Sequence, residues 1–157
     1  MQIIETGLPF GPLRIRWTTS LIVIHHSASQ DVSSRIIHGW HWCGGWSGIG
    51  YHFVIRQDGS IERGRPQEAV GAHAGAKYNS HSLGICLCGN FMNAKPTAQQ
   101  MASLGKLIVR LNQVYAVPNP SGMDVKLHRE VARTSCPGDM SPTDALQQRC
   151  AAKRRRG

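Results

Sequence analysis

Residues 21–29 read LIVIHHSAS. Leu21 to His26 is a short apolar run rich in β-branched side chains, the pattern of a buried strand. It closes on two adjacent histidines, His25 and His26. Successive side chains on a strand point to opposite faces, so the two imidazoles part company. Alternation alone does not say which of them does chemistry.

Working outward, Asp31 or Ser33 can cap a helix running from Arg35 to about Trp42, which CGGWSG then breaks. YHFVIRQDGSIERG, from Tyr51, reads as a hairpin turned by Asp58-Gly59. AGAKYNSHS reads as a glycine-rich polar loop, and LGICLCGNF as a second fully buried strand. Residues 97–115 give the longest helix. Thr97 and Gln100 make a capping box, and Met101, Leu104, Leu107, Ile108, Leu111 and Val114 form one apolar stripe. MDVKLH is a short strand, REVARTSCPGD a loop, and SPTDALQQRC a last helix capped at Ser141. Strands alternate with helices, which predicts an α/β fold: a central mixed β-sheet flanked by helices.

The chain has 157 residues, enough for one core. We expect an irregular lead-in over 1–20, a single domain over 21–150 and a basic tail over 151–157. The formal charge is +9, with 18 Lys+Arg against 9 Asp+Glu, which favours an anionic partner. Lys153 to Arg156 carry much of that excess. No nucleic-acid-binding motif appears, so neither DNA nor RNA is expected as a ligand. The first residues lack a basic start and a sustained apolar stretch, so synthesis without a signal peptide is expected. Five cysteines in such a chain argue against a disulfide framework. Cys86 and Cys88 share a strand face and read as two small buried hydrophobes rather than a metal pair.

Lone histidines are mostly surface or satisfied core residues, so the eight here carry meaning only by grouping. His128 and Cys136 flank one loop and can aim at one point. A catalytic zinc site takes three protein ligands and keeps one position open. VIHH at the end of the buried strand is the natural third donor, though buried cysteine and exposed histidine explain the same spacing.

IVIHHSAS, GWSGIGYHFVIRQDGSIERGR, VGAHAGAKYNSHSLGICLCGNF and HREVARTSCPGD, in that order, resemble the zinc-dependent N-acetylmuramoyl-L-alanine amidases. This amidase-2 group includes the peptidoglycan recognition proteins, and short single-domain phage endolysins look most similar. The resemblance spans roughly residues 20–140 and implies their fold. It implies that His25, His128 and Cys136 hold one zinc ion, and that Tyr51 orients the attacking water. Thr134 matches a position where some members carry lysine and others threonine, with a role in polarising the substrate carbonyl. His73 and Asn79 fall on a loop that lines the substrate groove in the family, with loop-shaping hydrogen bonds as the alternative.

The aromatic cluster is read from the residues themselves. Trp42 is expected to be exposed and able to stack on a sugar, whereas Trp40 and Trp46 are expected to pack in the core. His52 is expected to be a core or outer-layer residue.

The implied reaction is cleavage of the amide between N-acetylmuramic acid and L-alanine of the stem peptide, by a monomeric endolysin reaching the wall after release from the host cytoplasm. Non-catalytic recognition proteins usually lack the cysteine, so Cys136 argues against binding alone. Some phage amidases of this type also regulate a phage RNA polymerase. The basic tail is a candidate contact for anionic envelope lipids.

Overall fold

The computed structural model describes residues 1–116 and 118–141. The strands are β1 (Ile3–Ile4), β2 (Leu21–His26), β3 (Phe53–Ile55), β4 (Ile61–Arg63), β5 (Ser82–Leu87) and β6 (Asp124–Leu127). The helices are α1 (Ser34–Cys43), α2 (Gly75–Asn79) and α3 (Ala98–Val114), and a 3-10 turn follows β6 at His128–Glu130. The strands form one sheet in the order β1-β4-β3-β5-β2-β6. Among the pairs of these described strands only the β3–β4 hairpin is antiparallel; β1–β4, β3–β5, β5–β2 and β2–β6 run parallel. The sheet is therefore mixed, as the sequence predicts.

Strand parity sorts the core. Ile22 and Ile24 of β2, Leu83, Ile85 and Leu87 of β5, and Phe53 and Ile55 of β3 pack with Leu104, Leu107, Ile108 and Leu111 of α3. Val54, Cys86 and Cys88 pack on the other face with Ile37 of α1. The two cysteines are fully buried small side chains on one face. Helices thus cover both faces, and parallel β2 and β6 deliver their carboxyl ends to one edge of the layer. In α/β sheets, sites form outside those ends.

Local signals explain the helix starts. Ser33 caps α1 through Ile36 N, and Thr97 caps α3 in a reciprocal box with Gln100. Asp31 is not the cap: it forms a two-oxygen pair with Arg56, at 2.9 Å from both Nε and Nη2.

Three expectations change. Residues 1–20 are not wholly irregular: β1 extends the sheet edge on β4, and Ile15 bridges Ala69. The polar loop contains the five-residue helix α2, which has no side-chain cap. Trp40 and Trp46 are not core residues; they are 49% and 48% exposed. The stripe of α1 facing the sheet is Ser34, Ile37 and His38, so polar residues hold its buried face. The expected last helix and the basic tail lie outside the described residues.

Gly50 is where the loop carrying Tyr51 meets its neighbour. A Cβ there would fall on the Ala72 carbonyl oxygen, and Ala72 N donates to Gly50 O at 3.1 Å. Backbone cannot yield as a side chain can. Gly50→Ala is expected to cost about 3 kcal/mol, read as a lowered denaturant midpoint with unchanged slope.

Candidate metal centre

β2 ends with His25 on the same face as Leu21 and Val23, and His26 on the other. His26 packs against Phe91, with ring centroids 5.8 Å apart, and its Nδ1 accepts from Phe91 N at 3.1 Å. It is a packing residue. His25 is 1% exposed and stands among other rings: Tyr51 at 5.0 Å, His73 at 5.0 Å and His128 at 4.4 Å.

β6 lies directly beside β2, so the turn after it brings His128 alongside His25. The loop beyond returns Cys136, held by Arg129 N donating to Cys136 O at 2.9 Å. One ligand atom each from His25, His128 and Cys136 lies within 4.8 Å of the others. Cys136 Sγ is 3.8 Å from His25 Nδ1. The edge of a tetrahedral nitrogen–sulfur zinc site is roughly 3.3–3.7 Å. His128 Nδ1 is buried and makes no hydrogen bond to any described residue. Such an orphaned polar atom is costly unless something binds it. Two imidazoles and a thiol, one with an unpartnered ring nitrogen, fit a borderline-soft dication such as zinc.

The electrostatics of the cluster agree. Burial first, then His73, His128 and His26, hold His25 well below the usual imidazole range, so it is neutral. Burial also lowers His128. Burial pushes the Cys136 thiol up to about 11, so a thiolate there needs a cation beside it. Burial raises the Tyr51 phenol well above 10, so it stays protonated. Tyr51 can therefore donate and orient but is a poor base.

The surrounding layer is built of satisfied polar groups. His52 is fully buried; its Nδ1 accepts from Gly84 N at 3.0 Å, so its Nε2 carries the proton and donates to Ala69 O at 2.9 Å. His73 is also buried, 8% exposed, with its Nδ1 2.9 Å from His25 Nε2. Burial drives His73 down to about 3, while a backbone hydrogen bond at Ser82 works the other way. The residue expected to line the groove thus sits behind a ligand. Asn79 Oδ1 accepts from His73 N at 3.1 Å and Ala74 N at 2.9 Å, the loop-shaping alternative. Thr134 is exposed, and its hydroxyl accepts from Cys136 N at 3.2 Å, leaving its own proton free to donate outward. Trp42 is 48% exposed and stacks on His38 at 5.6 Å.

One contributor lay unassigned in the sequence. His41 Nδ1 accepts from Gly50 N at 2.9 Å, and its ring lies 5.6 Å from Tyr51 and 4.5 Å from Trp46. It braces the segment that presents the phenol. Its position one turn beyond Ile37 and His38 on the buried stripe of α1 was the available signal.

Three buried neutral histidines have a consequence for acid stability. His25, His52 and His73 all have folded pKa values lowered by burial. In the unfolded chain they titrate near 6.5. Their contribution is therefore intact above about pH 6.5 and is lost as the pH falls below it. Each such histidine gives up to ~1.4 kcal/mol per pH unit. The unfolding free energy of metal-free protein is expected to fall steeply between pH 6.5 and 5, measured by denaturant titration. A flat profile would contradict this account of the buried rings.

A mixed sheet with a histidine–histidine–cysteine cluster at the carboxyl ends of neighbouring strands defines the class: an α/β fold that carries, among the described residues, a candidate metal centre. Residues 16–139 match the family model described as N-acetylmuramoyl-L-alanine amidase, and the chain belongs to that family. It is 42% identical over 130 residues to the endolysin of Escherichia phage T7, covering 78% of this chain and 82% of that one. The amidase LysC from Clostridium intestinale URNW superposes with a TM-score of 0.89 at 38% identity, over 96% of this chain and 98% of its own. Drosophila PGRP-LB matches at a TM-score of 0.75 and 28% identity, over 87% and 88%.

Proposed function

We propose that this amidase acts as an endolysin on bacterial peptidoglycan, using one zinc ion held by His25, His128 and Cys136 to cleave the bond between N-acetylmuramic acid and L-alanine. The observation that carries the metal reading is the convergence of those three ligand atoms around a buried, unpartnered His128 Nδ1. When bound, zinc supplies Lewis-acid polarisation of the scissile carbonyl and makes hydroxide available near neutral pH. The protein supplies the rest. Tyr51, protonated and partly buried beside His25, hydrogen-bonds the attacking water and orients it. Thr134 turns its free O–H toward the developing oxyanion, anchored by the Cys136 amide. Trp42, exposed on α1, offers a face for a sugar ring.

Metal analysis of purified protein should give one zinc per chain, removable by chelator and restored by zinc alone. A fully active protein free of metal would sink this reading. We further propose that the basic residues 153–156 hold anionic envelope lipids, and that the chain works as a monomer. Deleting residues 152–157 should weaken binding to anionic vesicles at low salt while leaving hydrolysis of purified wall unchanged. Equal vesicle binding by both forms would count against the tail.

A further inference from the structure

The structure contains a hydrogen-bonded pair, His73 and His25, whose geometry constrains how the metal site is set. We infer that His73 is a positioning residue that fixes the tautomer of His25, and so presents the His25 Nδ1 lone pair to the metal. This rests on the reading of His25, His128 and Cys136 as ligands.

β2 and β5 are in register, with Val23 opposite Gly84 and His25 opposite Cys86. Side chains paired across parallel strands project from the same face, so the space over Gly84 lies beside His25. The His73 ring fills it: a Cβ at position 84 would come within 2.6 Å of His73 Cγ. The ring is held in that slot from behind, because Asn79 Oδ1 takes both the His73 and Ala74 amides. There its Nδ1 meets His25 Nε2 at 2.9 Å, and its Nε2 lies 3.4 Å from Ser82 Oγ.

A neutral imidazole has one donor and one acceptor nitrogen. In the inferred arrangement His73 donates from Nε2 to Ser82 Oγ, 3.4 Å away, and keeps Nδ1 as acceptor. Its partner His25 must then carry its proton on Nε2 and keep Nδ1 bare. That bare nitrogen is the one 3.8 Å from Cys136 Sγ. The chain Ser82–His73–His25 therefore sets the ligand before any ion arrives. Metal-bound histidines ordinarily hand their other N–H to a carboxylate or carbonyl. Here a second imidazole does it, without adding negative charge to the site.

Two measurements test this. Long-range proton–nitrogen NMR of the metal-free wild type at neutral pH should show His25 protonated at Nε2; protonation at Nδ1 overturns the inference without any variant. Zinc affinity should be measured by chelator competition for wild type, His73→Leu and His73→Asn. His73→Leu removes the acceptor and should weaken zinc roughly 10–100-fold. His73→Asn puts an amide oxygen near the Nδ1 position and should recover most of the loss. Wild-type affinity in folded His73→Leu, or equal losses in both variants, would overturn the role. Absence of zinc binding by the wild type would instead overturn the ligand reading on which it rests.

Discussion

Cys136→Ser is expected to abolish zinc binding and amidase turnover together. The thiol is half-buried, and burial pushes it up to about 11, so in the metal-free protein it is a neutral group among neutral imidazoles. A dication converts it to the thiolate, which supplies the only negative charge among the three ligands. Serine keeps the size but cannot ionise in the same range, and its oxygen is a harder, shorter-reaching donor. The loss in zinc affinity should exceed the roughly 10–100-fold that outer-layer partners are worth. Hydrolysis should drop to the level of buffer. The fold should persist, because Cys136 lies outside the packed clusters of the sheet and its backbone bond to Arg129 does not involve the side chain. Zinc content, turnover and circular dichroism on the same sample check this. A Cys136→Ser protein that lyses cells at the wild-type rate would show the centre is wrongly assigned.

Tyr51→Phe should behave differently. The ring packs 5.0 Å from His25 and 5.6 Å from His41, and phenylalanine keeps those contacts. Only the hydroxyl goes. Zinc content and stability should stay near wild type while kcat falls roughly 10²–10⁴-fold, the usual worth of a positioned proton donor or acceptor. KM should change little, since the lost interaction acts on the water rather than on the substrate. A rise in KM at constant kcat would instead make Tyr51 a substrate-binding residue.

How far the sequence discloses such a site depends on what holds each residue. The strand LIVIHH, the capping box at Thr97 and the Asp58-Gly59 hairpin are local signals, and the structure forms them where the periodicity puts them. The separation of His25 from His26 is also local, because strand parity requires it. The choice between them is not. It depends on β6 lying beside β2, which no spacing reveals. His73 is the sharpest case. Its loop is glycine-rich and polar, and reads as solvent-facing. It is buried because Gly84, on a strand across the site, leaves room for its ring. Trp40 misleads in the opposite sense: the buried stripe of α1 is Ser34, Ile37 and His38, so hydrophobicity marks the wrong face. The edge strand Ile3–Ile4 is too short for any periodicity and exists only through its partner β4.

Purified sacculi digested with the protein, with products weighed by mass spectrometry in the presence and absence of chelator, test the central claim most directly. The expected products are glycan strands whose muramic acid residues carry free lactyl carboxylates and stem peptides with a free L-alanine amine, both absent when zinc is removed. Cleavage at a glycosidic or a different peptide bond, or the same products in full yield with chelator present, would contradict it.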